Sequence, residues 1–354
     1  FYGIMQQGGF DVIIGNPPYV VYSRAKVPYQ LEPQGFTTYR TGNLYAFVFE
    51  RSTQLGSQHS RIGLIVQLSA LSSNRMETLQ GTLLQRGTLF ALPFPRRPKS
   101  VFDGTEMPVA IILSLPAMHS VYITSATKRF YTSERDTALR DLAFVQHGIR
   151  DRDSRIAKIG SPLQRSIIEK VQGHVKVLET LTANAGKWTV YYQEACRYWA
   201  KARYGSPHFR RDGIAIPPPH GRYIHFRSEN AAAFAACLMN SSLFYFCYSV
   251  FCDCEHVNDS FVRSFHIPNA WSLAPWEAMI HDLQEDMDRH AERKVIRTAQ
   301  GHTIEYDEID AGLSKAFIDE IDRALAGTYG LGEEETDFIL NYDIKYRMGI
   351  ANLG

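Results

Sequence analysis

The stretch from Phe10 to Tyr19, FDVIIGNPPY, constrains the fold of this 354-residue chain more than any other. A short apolar run closed by Gly15 and two prolines is typical of a parallel strand that is buried on both faces and ends in a stiff turn. Pro17 and Pro18 fix φ and lack N–H donors, so the turn is predicted to stay outside helix and sheet. In an open α/β sheet, ligands bind just beyond the carboxyl ends of such strands.

This turn presents fixed hydrogen-bond acceptors beside an aromatic ring. The Asn16 amide oxygen and the free backbone carbonyls would accept N–H donors, and the Tyr19 ring could stack on a flat group. The turn therefore favours a planar substrate that carries an amino group. The alternative is that Asn-Pro-Pro-Tyr only connects a strand to a helix, because Asn-Pro marks many turns.

Composition describes an ordered globular protein. Hydrophobic residues make up 45% and aromatic residues 12% of a chain long enough for more than one domain. The five cysteines follow no disulfide framework and no secretory signal is visible, which predicts a reducing, cytoplasmic setting. Cys252 and Cys254 are too close to His256 for an ordinary zinc site, so no metal is predicted.

The most apolar window, residues 231–251, is long enough in principle to cross a bilayer. Asn240, Ser241 and Ser242 interrupt its middle, and no basic flank anchors it. The window is therefore predicted to be a buried helix, and no membrane partner is expected.

Charge divides the chain near Trp271. The formal net charge is +1, but residues 1–270 carry roughly +11 and residues 271–354 roughly −10. A basic body favours a polyanion such as double-stranded DNA, and ordinary solvated surface charge is the alternative. Residues 196–211 interleave basic and aromatic side chains, a pattern that suits contacts with phosphates and bases. Its basic members are the candidate DNA-binding residues: Arg197, Lys201, Arg203, Arg210 and Arg211. Arginine stems packed on a solvated loop are the alternative.

Strands and helices alternate along the first 128 residues, which predicts an α/β fold with a mainly parallel sheet. Further strands are expected at 62–66, 88–92, 109–113 and 121–123, and helices at 43–51 and 78–85. Asn43 is a plausible N-cap for the first of these helices. The long segment 20–41 between turn and helix is predicted to be a functional loop.

The remainder is predicted to form two further parts. Residues 129–270 should form an α+β domain, with a helix at 162–173 and strands at 187–192 and 222–226. Residues 271–354 should form an acidic helical tail, with helices at 276–299 and 313–326.

The sequence DVIIGNPPY resembles the catalytic motif of amino-methyltransferases that use S-adenosylmethionine, in its N6-adenine form. The order downstream resembles N6-adenine DNA methyltransferases of the Eco57I and TaqI type. Those enzymes continue with a helix that opens Asn-Leu-Tyr, here Asn43-Leu44-Tyr45, and with a Val-Phe segment, here Val101-Phe102. A strand of the Val-Ala-Ile-Ile kind follows at Val109, and the Leu-Met-Asn-Ser-Ser-Leu stretch at 238–243 resembles their target-recognition domains.

The resemblance implies a site-specific DNA-methyltransferase of a restriction–modification system that acts on a flipped-out adenine. It assigns Asn16, Pro17, Pro18 and Tyr19 to catalysis, with the Asn16 side chain and the Pro17 carbonyl accepting the two amino hydrogens. Tyr19 and Phe102 would stack on the two faces of the base. The alternative for Phe102 is an ordinary core aromatic.

For the cofactor, S-adenosylmethionine, the resemblance assigns only Phe1 and Pro18. The family's acidic residue and Gly-rich loop would precede Phe1, so a further methyltransferase half is expected, in the same polypeptide or in a partner chain. Three alternatives stay open. The chain could be a DNA-specificity module that is catalytically incomplete, a fragment of a bifunctional enzyme with a nuclease domain or subunit, or a protein glutamine methyltransferase.

The resulting expectation has three parts. Residues 1–128 form the C-terminal half of a Rossmann-like methyltransferase sheet, residues 129–270 a target-recognition domain, and residues 271–354 the helical tail.

Overall fold

The structure is a computed structural model that describes residues 1–23, 29–31, 35–104 and 106–349. It divides into two compact units, residues 1–165 with 249–253, and residues 166–248 with 254–354. Residues 24–28 and 32–34 of the predicted loop at 20–41 lie outside the described residues. The predicted functional division into residues 1–128, 129–270 and 271–354 differs from this structural division and stays a prediction.

The first unit is built on a six-stranded sheet. Its strands are β1 (Phe10–Gly15), β2 (Gly56–Gln67), β3 (Gly87–Phe94), β4 (Val109–Pro116), β5 (Val121–Thr124) and β6 (Val145–His147). Their order in the sheet is β1-β2-β4-β3-β5-β6. Only β1–β2 and β3–β5 pair in parallel among these described strands. The predicted α/β class and strand positions are confirmed, but the mainly parallel sheet is wrong, because β4 runs antiparallel between β2 and β3.

Helices pack against this sheet. The helices of the first unit are α1 (Tyr2–Gln6), α2 (Leu44–Leu55), α3 (Ser69–Ser72), α4 (Glu77–Gln85) and α5 (Arg135–Ala138). Side chains alternate along a strand, so Ile62, Leu64 and Val66 of β2 share one face. They form a buried core with Phe49 of α2 and Leu79 of α4. Helix α2 begins after Asn43 as predicted, although the Asn43 amide donates to Thr41 O and does not cap the helix.

The opposite face of the sheet is more open near β1. Ile14 lies beside Gly63 of β2, and Gly63 lies beside Leu113 of β4. Val12 and Ile14 are 55% and 81% exposed. The prediction that β1 is covered on both faces is therefore wrong for the described residues. The reason is that β1 is an edge strand, with only Ile13 of this group packed against the core.

Helix α6 (Pro162–Gln172) crosses the division between the units and confirms the helix predicted there. The second unit contains two four-stranded sheets. One has the order β7-β12-β8-β9 and the other β11-β10-β14-β13. These strands are β7 (Thr182–Ala183), β8 (Trp188–Gln193), β9 (Arg203–Tyr204), β10 (Phe209–Arg211), β11 (Ile214–Ala215), β12 (Gly221–Phe226), β13 (Glu292–Arg297) and β14 (Thr303–Glu308). The strands predicted at 187–192 and 222–226 are confirmed as β8 and β12.

The apolar window of the sequence forms two buried helices, not one. They are α7 (Glu229–Asn240) and α8 (Ser242–Phe251), separated by Ser241 and bent by 65°. The break follows from Ser241, which has extended backbone and accepts from Phe244 N through its hydroxyl. No single helix of the described residues is long and apolar enough to span a membrane, and only this bent pair reaches that length and composition together.

The tail is only partly helical. Helix α9 (Asp259–Arg263) precedes it. The α-helices of the tail are α10 (Trp276–Arg289), α11 (Lys315–Tyr329), α12 (Glu333–Leu340) and α13 (Ile344–Arg347). The predicted helix at 276–299 is wrong beyond Arg289, where β13 and β14 form a hairpin. Val295 and Ile296 are β-branched, and Gly301 has φ +87° in the turn, which favours a hairpin over a helix.

Candidate functional site

The Asn-Pro-Pro-Tyr turn leaves β1 at the carboxyl end of the strand without entering a helix. Pro17 is buried, whereas Asn16 and Pro18 are exposed. No hydrogen bond engages the Asn16 side chain within the described parts of the chain, so its amide is available to a ligand. The structure thus places an accessible amide beside the buried Pro17, and the catalytic role of Asn16 stays a prediction.

Tyr19 is the anchored member of the turn. Its ring packs against both hydrophobic clusters of the first unit, and its hydroxyl donates to Ile65 O at 3.3 Å. Burial raises the pKa of Tyr19, so the hydroxyl stays protonated near neutral pH. Phe102 packs against the second of these clusters, around Leu92, Phe94 and Phe130. The structure therefore brings the two predicted stacking residues to one cluster, each only partly buried.

The chain that follows the turn is anchored through helix α2. Glu50 is 6% exposed and accepts hydrogen bonds from the backbone N–H groups of Thr37 and Thr38 at 2.8 and 2.9 Å. The two threonine hydroxyls donate to the same carboxylate at 3.0 and 2.6 Å. Residues 37–41 form a 3-10 turn, and Leu44 N donates to Val20 O. Glu50 thus fixes the backbone that returns to the end of the motif. Sequence reasoning missed it, because a glutamate in a helix gives no sign of its partners.

The loop that carries Phe102 is held by an arginine from α5. Arg135 donates to Val101 O through Nη2 and to Asp103 Oδ2 through Nη1 at 2.8 Å. Hydrogen bonds from Arg135 and Lys99 lower the pKa of Asp103. A cavity of about 270 Å³ opens beside this loop, lined in part by Val101 and Arg135. Arg135 is a second positioning residue that the sequence did not reveal.

The residues assigned to the cofactor supply only one side of a binding site. Phe1 is 83% exposed and touches Phe10 edge to face, with ring centroids 5.2 Å apart. Pro18 is exposed as well. An exposed ring and an exposed proline do not enclose a ligand the size of S-adenosylmethionine, since such ligands are mostly buried in their sites. These residues alone therefore do not fit the whole cofactor.

Three of the predicted DNA-binding residues line one cavity of about 490 Å³ in the second unit: Arg197, Lys201 and Arg203. Arg203 is buried and its guanidinium makes two hydrogen bonds with Asp288, at 2.7 and 2.9 Å. Arg197 is exposed and Lys201 is half-buried. The roles of these three residues in DNA binding stay a prediction. The Arg203 guanidinium already forms an ion pair with the Asp288 carboxylate.

Arg210 and Arg211 lie elsewhere, in strand β10. Both are exposed, and because they are consecutive in a strand they point to opposite faces of the sheet. In the antiparallel pairing of β10 with β14, Arg210 lies opposite Glu305 and Arg211 lies opposite Ile304. A single DNA surface would not use both side chains in the same way.

The cysteine thiols and the potential metal ligands are further groups that could carry chemistry. All five cysteines are free and buried. Burial raises the pKa of the Cys237 and Cys247 thiols, so these thiols are unreactive. In the described ranges, no group of three or more His, Cys, Asp or Glu side chains could hold a metal ion.

Residues 1–92 match the family model of the Eco57I restriction-modification methylases. The match covers β1, the Asn-Pro-Pro-Tyr turn, helix α2 and strand β2. This part of the chain is therefore similar to the methylases of restriction–modification systems. The match ends before Phe102 and leaves the second unit unassigned. A comparison with curated protein sequences finds no match.

Three of the similar solved structures are protein–DNA complexes. The Type IIL restriction-modification enzyme MmeI in complex with DNA shares 10% identity over 97% of this chain and 57% of its own length, with a TM-score of 0.49. The DrdV–DNA complex shares 13% identity over 42% of this chain and 18% of its own, with a TM-score of 0.35. The ATP-dependent Type ISP enzyme LlaBIII bound to DNA shares 14% identity over 56% and 15%, also with a TM-score of 0.35. The chain spans under a fifth of the last two proteins.

Proposed function

We propose that this chain is part of a site-specific DNA adenine-N6 methyltransferase of a restriction–modification system. The observation that carries the proposal is the Asn16–Tyr19 turn at the carboxyl end of β1, inside the region that matches the methylase family. Residues 129–270, which carry more basic than acidic side chains, are assigned to DNA recognition on the weaker evidence of their exposed and cavity-lining cations.

The chemistry follows from the acceptors of the turn. The Asn16 side-chain oxygen and the Pro17 carbonyl would accept the two hydrogens of an exocyclic amino group. These bonds draw the nitrogen out of conjugation with the ring and turn its lone pair away from the base plane. S-adenosylmethionine would supply the methyl group, and the protein's contribution is chiefly alignment of the amino nitrogen.

The target base would stack on Tyr19 and Phe102. A base in duplex DNA must be flipped out at a cost of a few kcal/mol. Stacking on an aromatic side chain contributes about 1–3 kcal/mol per base and offsets much of that cost. Both rings are part-buried against one cluster, so each keeps a surface that a base could cover.

The exposed edge of β1 supports the proposal that a further strand pairs with the sheet of the first unit. A free edge strand with exposed Val12 and Ile14 is a template for pairing with another strand. We infer that further strands of a methyltransferase sheet, in the same polypeptide or in a partner chain, pair with β1. They would also supply the cofactor contacts that Phe1 and Pro18 cannot make alone.

The central test is Asn16→Ala in the complete enzyme, with Asn74→Ala, another exposed asparagine of the first unit, as the matched control. Asn16→Ala should lower the rate of methyl transfer to duplex DNA at least about a hundredfold, the size expected for a polar group that acts in the transition state. DNA affinity and the control should change less than about threefold, well under the ~1.4 kcal/mol of a tenfold effect. Wild-type activity in the Asn16→Ala variant would contradict the catalytic role assigned to Asn16.

A second test addresses the substrate. Fluorescence of 2-aminopurine at the target position should rise on binding, and Phe102→Ala should reduce the rise because one stacking surface is lost. A methylated glutamine in a protein, without any methylated DNA, would establish the competing function. DNA binding without cofactor binding, even beside the complementing half, would support a specificity module.

A further inference from the structure

The 490 Å³ cavity of the second unit has the size of a small-molecule site, for which about 300–1,000 Å³ is usual. The end of β8 and residues 195–203 form one wall, and residues 306–310, at the end of β14 and just beyond it, form another. Trp199, Tyr198 and Tyr306 contribute aromatic surface. This combination of rings and charged groups is not explained by packing alone.

The carboxylates of the lining are engaged. Asp307 is paired with Arg293, and Glu308 lies 3.4 Å from the Lys294 ammonium. Asp310 accepts a hydrogen bond from Gly312 N at 3.0 Å. Their capacity to hold a cationic ligand is therefore reduced.

The Lys201 ammonium is available by contrast. It makes no ion pair or hydrogen bond with any described residue, although it feels the charge of Asp310. Burial lowers the pKa of Lys201, which shows that desolvation outweighs the nearby negative charge. An unpaired ammonium in a half-buried place is stabilised by an anionic ligand.

The backbone of Lys201 is unusual too. Its φ of +53° lies in the left-handed region, where a side chain is disfavoured and glycine is preferred. The adjacent Ala202 is held by Asn240, whose amide accepts from Ala202 N at 2.9 Å and donates to Ala202 O at 2.7 Å. The fold thus keeps a lysine in a strained conformation, as is common at binding sites.

Arg347 provides a second cation in the lining. It is 5% exposed, its Cζ lies 3.8 Å from the Trp199 ring centroid, and its Nη1 donates to Ser242 Oγ at 2.8 Å. Its Nε and Nη2 are buried and have no hydrogen-bond partner among the described residues, so a ligand that enters the cavity must reach inward to contact them. These two N–H groups form the side of the guanidinium that matches two oxygens of a phosphate.

We propose that this cavity binds a phosphate group of a nucleotide. Lys201 makes the first contact as a point charge, Arg347 receives the phosphate oxygens at the inner end, and the aromatic residues contact the base. The site is separate from the Asn16–Tyr19 turn. The phosphate could belong to a free nucleotide or to a DNA strand, and only the second source rests on the proposed function.

The test measures binding of a 5′-mononucleotide and of a short oligonucleotide to the full chain by calorimetry, with citrate as a competitor. Lys201→Gln should weaken nucleotide binding at least about tenfold, which corresponds to about 1.4 kcal/mol. The matched control is Lys176→Gln, which removes an exposed lysine of the same unit and should leave binding unchanged. Lys201→Gly should also lose binding while raising thermal stability, because glycine adopts positive φ without strain.

The outcomes distinguish a free nucleotide from a DNA phosphate, and they test the cavity separately from the proposed function. Lys201-dependent binding of the mononucleotide supports a free nucleotide, and Lys201-dependent binding of the oligonucleotide alone supports a DNA phosphate. Binding of both ligands unchanged in Lys201→Gln and Lys201→Gly overturns the proposal, as does no binding or equal competition by citrate. A chain that binds the mononucleotide but no DNA would leave this site standing and contradict the proposed function.

Discussion

Replacing Glu50 with glutamine should destabilise the segment that follows the Asn-Pro-Pro-Tyr turn. The wild-type carboxylate accepts four hydrogen bonds of 2.6–3.0 Å from Thr37 and Thr38. Glutamine keeps the volume but turns one acceptor oxygen into an NH₂ donor that faces N–H groups. A hydrogen bond to a charged group contributes about 1.5–3 kcal/mol, and bonds that share one carboxylate are not additive. We expect a loss of about 2–4 kcal/mol in the stability of the first unit.

The pH dependence gives a second, independent signature. Burial raises the pKa of Glu50, but hydrogen bonds from Thr38 and Thr37 outweigh this effect, and the pKa lies below its ordinary value. A carboxyl with a lowered folded pKa contributes stability above its unfolded pKa of about 4.3. That contribution is lost as pH falls through the lowered pKa. The difference between wild type and Glu50→Gln should therefore shrink below about pH 4.

The assay is urea denaturation, combined with amide hydrogen exchange of residues 36–42, which reports directly on the segment that Glu50 holds. Glu77→Gln, which alters an exposed glutamate, is the control and should change stability by less than about 1 kcal/mol. A loss below about 0.5 kcal/mol in Glu50→Gln would refute the reasoning. An equal loss at pH 7 and pH 3 would refute the assignment to the charged carboxylate.

Two further predictions concern positioning and pH. Arg135→Met should speed amide exchange in residues 101–104 and weaken 2-aminopurine flipping, with little change in global stability; unchanged exchange would contradict the anchoring of Val101. Burial raises the pKa of Asp322 to about 6, partly offset by its hydrogen bond with Ser242, so its contribution to stability is present below pH ~4 and lost as pH rises through about 6. Asp322→Asn should therefore stabilise the chain at pH 8 by at most about 3 kcal/mol and be neutral at pH 4, as thermal unfolding would show. A loss of equal size at both pH values would contradict it.

Local sequence patterns predicted much of the fold. A continuous apolar run identified β2 and β4, and helical spacing identified α6 and α11, because each signal depends on residues that are neighbours in the chain. The Asn-Pro-Pro-Tyr turn was predicted for the same reason, since proline acts on its own backbone. The hairpin of β13 and β14 was missed, because charged residues with helical spacing also suit an exposed sheet.

Contacts over long separations decided the rest. Strand β14 pairs with β10, almost a hundred residues earlier, and no local pattern predicts that pairing. Arg203 was predicted to contact DNA, but its pairing with Asp288 depends on the folding of α10 beside it. The open face of β1 was mistaken for a buried one, because an apolar run shows what a strand can bury and not what covers it.

The alternation of Arg210 and Arg211 affects how DNA contacts should be mapped. The double alanine variant, a common way to remove a basic patch, would alter two opposite surfaces at once. A loss of affinity in that variant could not be assigned to either surface. Separate replacements, compared at several salt concentrations, would count the phosphate contacts on each side of β10, because each lost contact lowers the salt dependence of binding by about one counterion.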